Sequence, residues 1–408
     1  MLPNKNSSDK TKILYISYDG ATDPLGQSQI LPYLKKLTRD DIEFILVTYD
    51  KIEYRSKNIF KALRDELSNS GIRWVSLNYH KEPKVLAKLY DISLGIIACA
   101  ILLKKNKITI IHGRSFVGAF IAMVLKRLFK VKFLLDYRGL WADERVDGGL
   151  WLKDSLLFKL SKYIEKMLLL NADEVTVLTK RARETIDNFS YISNRLKIQV
   201  IPTCVDLERF KPNVIGKVIQ PNNKLTMIYV GSLGTWYMLN EMIDFFIELR
   251  KVFVNSHFSF LTPTKPELIE GAMKIKSVSP LCYSIKSVSY NEISYWLSEA
   301  DLSIFFINPF FSKISSCPTK LGESLACGLP VIINSGIGDC DEIVKENKVG
   351  VIVERFSQEA YKKAIFELRG LLQNRIDLGL RCRRAAETRL SLEKGVELYR
   401  QIYKRLEE

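Results

Sequence analysis

Short apolar runs rich in β-branched residues alternate with helical stretches along nearly the whole chain, and the alternation begins twice. The first series is KILYISYD (12–19), EFILVTYD (43–50), RWVSLNY, ITIIHG, KFLLDYRG, EVTVLT and IQVIP. The second is LTMIYVGS, FSFLTP, LCYSIKSV, LSIFFI, PVIIN and VGVIVE. Strands joined through helices need crossover connections, so each series predicts an α/β unit with a parallel sheet covered on both faces. The polar, strand-poor segment 213–224 between them reads as a linker. A chain of 408 residues is too long for one ordinary core. The reading is therefore two domains, 10–203 and 204–385, closed by a charged helix over 386–408.

Composition removes several classes. With 47% hydrophobic and 26% charged residues the chain reads as a folded globular protein. Its seven cysteines are scattered without metal-ligand or disulfide-framework spacing, which suggests a reducing cytosol and no metal centre. The opening MLPNKNSSDKTK has no apolar core and reads as a short tail. LGIIACAILL (94–103) falls well short of the roughly 20 apolar residues that span a bilayer, so a buried or interfacial helix is expected there.

The net charge of +15 sits mostly in the first half. Before residue 204, 34 basic residues face 22 acidic ones; after it, 27 face 24. The first domain is thus expected to meet an anionic partner, nucleic acid or a membrane surface, with a merely solvated basic face as the alternative. No nucleic-acid-binding motif accompanies the charge, and nucleic acid is not expected. Segments 116–133 and 151–170 mix Lys and Arg with apolar faces, as interfacial helices do. Peripheral attachment to the inner membrane face is the expectation, with core packing taking most of the apolar positions.

Parallel sheets bind ligands beyond the carboxyl ends of their strands, so the candidate residues are those at strand ends. After the first strand, GATDPLGQSQ offers Gly20 and Gly26, where backbone can approach a substrate; a flexible loop is the alternative. LLDYRGLWADE sets Asp136 and Arg138 at a strand end near Trp141 and Asp143. That pair can orient a hydroxylated substrate or simply tie down a loop. His112, at another strand end, reads first as a structural histidine, while its neighbours Gly113 and Arg114 keep a site role open. IYVGSLGTW places Gly231 and Ser232 where amides can meet a phosphate, or where the chain merely turns.

CPTKLGESLACGLPVIINSG (317–336) is richer. Pro318 and Thr319 suit a first helical turn, whose free amides and dipole favour a diphosphate, and Lys320 adds positive charge. Glu323, one turn on, can accept both hydroxyls of a ribose diol. Its alternative is a solvated pair with Lys320 worth a few tenths of a kcal/mol.

This stretch resembles the nucleotide-binding signature of the retaining family 4 glycosyltransferases (glycosyl transferases group 1), which have the GT-B fold. VIPTCVDLERFKP is similar to their interdomain segment, NADEVTVLTKRARETI to the strand and helix before it, and YVGSLG to the opening of their second domain. The resemblance runs in order from about Lys12 to the C-terminus. It implies two Rossmann-like domains facing across a cleft, the first binding the acceptor and the second the nucleotide sugar. A C-terminal helix would return to the first domain.

It further implies that Glu323 holds the donor ribose, with the amides at Thr319 and Lys320 on the diphosphate and Gly20 and Gly26 facing donor and acceptor. Catalytic roles fall to Asp136, Arg138 and Lys320. Donor contacts fall to Gly20, Gly26, Gly231, Ser232, Lys313, Ser315, Thr319, Lys320 and Glu323. Two features depart from the family. Ser315 stands where many members carry an acid eight residues before the ribose acid. The Arg and Lys that many carry after the VG strand are missing, leaving Lys320, with Lys313 or Lys286, to meet the phosphate charge.

The expected activity is a metal-independent, cofactor-free, retaining transfer, hexosyl or related. The donor is a nucleoside diphosphate sugar, UDP favoured, and the acceptor a glycan or lipid-linked molecule of surface polysaccharide synthesis. A non-catalytic GT-B partner of a glycan synthase complex is the alternative. A nucleotide-sugar epimerase ranks lower, since acid–base work on the sugar must draw on three histidines.

Overall fold

The computed structural model describes residues 10–39, 42–55, 58–192, 196–212 and 225–408. The expected linker at 213–224 and residues 1–9 of the expected tail lie outside these, whereas Thr11 and Lys12 already belong to the first strand.

The first domain carries seven parallel strands: β1 (Thr11–Ser17), β2 (Ile42–Asp50), β3 (Ile72–Asn78), β4 (Ile110–Arg114), β5 (Lys132–Tyr137), β6 (Glu174–Val177) and β7 (Ile198–Val200). Their order is β3-β2-β1-β4-β5-β6-β7. The second domain carries β8 (Thr226–Val230), β9 (His257–Leu261), β10 (Tyr283–Lys286), β11 (Leu302–Phe305), β12 (Val331–Asn334) and β13 (Gly350–Val353), in the order β10-β9-β8-β11-β12-β13. Both sheets reverse direction beside their first strand. Between β1 and β4, and between β8 and β11, crossovers leave on opposite sides and open a crevice at the strand ends.

Near-continuous apolar strands follow from burial on both faces: Ile13, Leu14 and Ile16 in β1 and Val331, Ile332 and Ile333 in β12 are fully or almost fully buried. One core lies on each face of the first sheet, and one fills the second domain. The chain crosses between domains twice at one place. Val205 N–H donates to Leu390 O at 2.8 Å and Leu392 N–H to Val205 O at 3.0 Å. Arg383 ties this crossing down by donating to the carbonyls of Leu207, Phe210 and Ala326.

The helix Arg375–Arg389 packs on the second domain, and Leu392–Glu407 returns to the first. The returning helix buries Leu392, Val396, Tyr399, Ile402, Tyr403 and Leu406, an apolar stripe at helical spacing. Arg405 grips Glu174 through two hydrogen bonds of 2.8 and 2.6 Å.

Two segments depart from expectation. The helix expected over 116–133 ends at Leu128, because Lys132 and Phe133 begin β5. Its apolar residues Val117, Ala119, Ile121, Ala122, Met123 and Leu125 are core. The ten-residue run at 94–103 is part of a 22-residue helix, Lys84–Lys105, in which residues 85–105 are long and apolar enough to cross a membrane by length and composition. Here it docks on the domain along Ala87, Asp91, Gly95, Cys99 and Leu103, all buried at four-residue spacing. Asp91, fully buried, anchors it by accepting from the Tyr18 hydroxyl and the His80 amide. Its outer face exposes Val85, Leu86, Leu89, Tyr90, Ile97 and Ile101.

Candidate active site in the interdomain cleft

The carboxyl ends of the two sheets meet across a cavity of about 450 Å³. Arg114, Arg138 and Glu144 reach it from the first domain, and Trp236, Lys313 and Thr319 from the second.

On the first-domain side, in-register pairing sets Arg114 of β4 beside Asp136 of β5. Asp136 is 1% exposed and does not line the cavity. It accepts from Arg114 Nη1 at 3.1 Å and Thr176 Oγ1 at 3.0 Å, with Arg138 Nη1 at 3.7 Å. Burial pushes its pKa up, but Arg138, the nearby His112 and Arg114 outweigh that, and the carboxyl is held far below the usual range. Expected to act on the substrate, Asp136 instead reaches the cleft through the two guanidiniums it orients. Arg138 donates to Gln29 at 3.0 Å, and Arg114 Nε is buried with no hydrogen-bond partner. His112 lies beneath the returning helix, 2.7 Å from the Tyr403 hydroxyl. Burial lowers its pKa, so the ring is neutral, as suits a structural histidine.

The Gly20–Gly26 loop works by close packing. A Cβ on Gly26 would lie 2.2 Å from Gly20 O, and one on Gly20 2.9 Å from Asp50 Oδ1. Both glycines are buried, and it is their neighbours Asp19, Leu25 and Gln29 that line the cavity.

The second-domain side is built around the helix Thr319–Ala326. Pro318 caps it without a side-chain hydrogen bond, so its first amides are left to the cleft that Pro318 and Thr319 line. Lys320 Nζ rests 3.9 Å from the Tyr237 ring centre and over Gly231, where a Cβ would come within 2.8 Å of it. Gly231 has φ +113, a conformation closed to other residues. Ser232 serves through its backbone, its carbonyl accepting from the Tyr229 hydroxyl at 2.8 Å.

Glu323 is 5% exposed. Burial raises its pKa to about 7 against the opposing pull of Lys320, Arg209 and a hydrogen bond from Tyr290. Arg209 stacks on Tyr290 at 4.0 Å. Neither Arg209 nor Tyr290 was picked out from the sequence. Arg209 lies in the interdomain segment VDLERF, and nothing local marks it as a cation that acts on Glu323.

Lys313 and Ser315 hold the domains together. Lys313 Nζ lies 2.9 Å from Glu144 of the first domain and 3.6 Å from the Trp236 ring centre. Ser315 Oγ accepts from Leu140 N–H at 3.2 Å and donates to Ser312 O at 2.7 Å. Lys286 points elsewhere, stacking on Trp296 at 4.0 Å, and does not line the cavity.

Residues 35–209 match the model for Glycosyltransferase Family 4, and residues 211–389 match that for Glycosyl transferases group 1. Solved structures share the architecture over nearly their whole length. Sucrose-phosphate synthase from Thermosynechococcus elongatus superposes with TM-score 0.74 at 15% identity, covering 97% of this chain and 99% of that one. A glycosyltransferase from Rickettsia africae gives 0.71 at 17%, covering 98% and 99%. Alr3699/HepE from Anabaena, in complex with UDP and glucose, gives 0.69 at 12%, covering 97% and 99%. No curated protein matches the sequence.

Proposed function

The chain belongs to the glycosyltransferases of family 4 and group 1, with the GT-B fold, and from that premise we propose a retaining transfer of a hexosyl or related group. The donor is a nucleoside diphosphate sugar, with UDP the favoured carrier. The acceptor is a glycan or lipid-linked molecule of surface polysaccharide synthesis. One observation carries the reading. The helix Thr319–Ala326 brings its uncapped first turn to the cleft at Thr319. The same helix holds the Lys320 ammonium over Gly231 and the buried Glu323 carboxyl just behind the cavity wall, which neither Lys320 nor Glu323 lines. Amides and ammonium suit a diphosphate, and the carboxyl suits a ribose diol.

In this reading the acceptor hydroxyl arrives on the face from which the diphosphate leaves. The bond from the anomeric carbon to the diphosphate oxygen breaks as the new glycosidic bond forms, and the acceptor proton passes to the departing diphosphate. The transition state resembles an oxocarbenium ion. The protein therefore has to stabilise the leaving charge and hold both partners in line. Lys320 and the helix amides meet that charge, with no metal or cofactor called for, and Arg114 and Arg138 face it across the cleft. An epimerase is disfavoured because His80, His112 and His257 are absent from the cavity lining.

The first domain would rest on the inner membrane face. Besides the Lys84–Lys105 helix, Leu156–Asn171 exposes Leu156, Leu157, Leu160 and Tyr163, with Lys153 and Lys159 exposed nearby. Both helices pack on the same face of the first sheet. Sedimentation with anionic vesicles at low salt is expected, and failure to sediment would remove the membrane from the reading.

Thermal stabilisation by UDP, GDP, dTDP and CMP, on wild type and Glu323→Ala, tests the function. A shift with one nucleotide that the variant loses places the ribose at Glu323. No shift with any of them in wild type would bring the non-catalytic partner forward.

A further inference from the structure

Beside the cleft lies a second cavity, of about 270 Å³, built by the first domain alone. Tyr18, Tyr49, Tyr79 and Trp141 wall it, and Lys88 and Arg145 line it with positive charge. Asp19, Ser115, Trp141 and Arg145 line both cavities, so the two adjoin.

The charges in this cavity do not balance. Lys88 Nζ lies 5.5 Å from the Trp141 ring centre and 5.7 Å from that of Tyr18, and the Arg145 guanidinium 4.9 Å from Trp141. Among the described residues neither cation has a carboxylate within ion-pair distance. Asp91, whose charge acts on Lys88, is occupied by Tyr18 and His80. Asp23 is held by Lys51 at 3.1 Å, and Asp19 leans toward Arg114 at 3.9 Å. Burial and the charge of Arg145 lower the Lys88 pKa against the opposing pull of Asp91.

The backbone adds to this. Ser115, a residue with a Cβ, adopts φ +57 at the rim of both cavities, a strained conformation of the kind kept at functional sites. It opens the 14-residue helix Ser115–Leu128, whose N-terminus has no side-chain cap. Apolar surface flanks the cavity on two sides. The helix that carries Lys88 exposes Leu86 and Leu89, and Trp141 meets Trp151 edge-on at 5.3 Å, between the exposed Leu150 and Leu152.

We propose that this cavity binds the phosphoryl group of the acceptor, and that the acceptor is a polyprenyl-type phosphate or diphosphate whose apolar chain lies over the exposed leucines. Two unpaired cations and free amides suit the phosphoryl oxygens. The aromatic walls suit the face of an attached sugar. The shared rim at Trp141 and Arg145 delivers the acceptor hydroxyl to the donor. This inference rests on the glycosyl-transfer reading and names its acceptor.

Equilibrium binding of farnesyl diphosphate, inorganic diphosphate and farnesol to the full chain tests it, on wild type, Lys88→Met, Arg145→Met and the double variant. Farnesyl diphosphate should bind wild type at least tenfold more tightly than either half-molecule. Each single variant should weaken it about fivefold or more and the double variant further, while UDP still stabilises Lys88→Met as it does wild type. Unchanged farnesyl diphosphate binding in the double variant overturns the proposal. So does inorganic diphosphate binding as tightly (a site for free anion) or farnesol binding as tightly (apolar surface alone). Failure of every nucleotide to bind wild type overturns the glycosyl-transfer reading instead, and is seen in a separate measurement.

Discussion

Asp136, near the end of β5 of the first domain, and Glu323, within the helix Thr319–Ala326 of the second, are both buried carboxyl groups, and they are opposites. Asp136 is surrounded by Arg114, Arg138 and a threonine hydroxyl, and its pKa is driven down. Glu323 has only the partial support of Lys320, Arg209 and Tyr290, and its pKa rises to about 7. Burial penalises the charged form in both, and the number of opposing partners decides the sign of the net shift. A saturated carboxyl supports its surroundings and has no free capacity. An under-supported one retains capacity to accept donors, and a ribose diol supplies two. The acid that the sequence suggested for catalysis is thus the scaffold, and the one read as a ribose ligand keeps that capacity.

The comparison is tested most severely by Asp136→Ala. It leaves the buried Arg114 guanidinium, and the part-exposed Arg138 beside it, without their carboxylate, and a loss of about 3–5 kcal/mol in unfolding free energy is expected. Wild type should also lose stability as pH falls below about 4. The depressed native pKa makes the unfolded chain the better proton acceptor there, and support present above that range disappears. A loss below 1 kcal/mol on denaturant titration of the variant would show that Asp136 is not the hub.

Glu323→Ala should weaken the cognate nucleotide about 10- to 100-fold, the range for hydrogen bonds to one charged group. The pH dependence sharpens this. With a native pKa of about 7 against an ordinary 4.5, ionising Glu323 costs folding free energy, on the order of 3 kcal/mol at most. Its contribution is intact below about 4.5 and lost as pH rises through 7. Glu323→Gln should therefore gain in Tm on wild type between pH 5 and pH 8. Nucleotide affinity of wild type should rise more steeply over that span than the variant's, in which only the nucleotide's own terminal phosphate titrates. Parallel Tm curves would mean that the carboxyl is not desolvated.

Gly231→Ala is expected to cost about 1–3 kcal/mol by forcing a Cβ into φ +113 and against Lys320. Nucleotide binding should fall with it; unchanged affinity would remove Lys320 from the diphosphate site. Ser315→Ala, which deletes the bonds to Leu140 and Ser312, should cost only about 1 kcal/mol. A tenfold loss of nucleotide affinity in that variant would instead give Ser315 a donor contact.

Much of the second-domain site was legible because it is contiguous. Pro318, Thr319, Lys320 and Glu323 fall within two turns of one helix, where spacing translates directly into geometry. The first-domain side was less so. Asp136 and Arg138 were visible as a strand-end pair, but which of them would face the cleft depended on Arg114 from the neighbouring strand. The same holds for Lys313: a lysine in a Ser-rich loop gives no sign that its partner is Glu144 in the other domain. At the surface, the run at 94–103 showed its apolarity but not the ten residues before it that extend the helix.

The sequence by itself determined the two parallel sheets, their helices and the helix Thr319–Ala326 with its uncapped first turn, because periodicity, chain reversal and first-turn chemistry act over a few residues. The tertiary structure alone decided which charges meet. Ion pairing and desolvation act through space, and here they join Arg209 and Tyr290 to Glu323 and set Lys88 beside Arg145. They also lay Tyr403 over His112, pairs that neighbour one another only once the chain has folded.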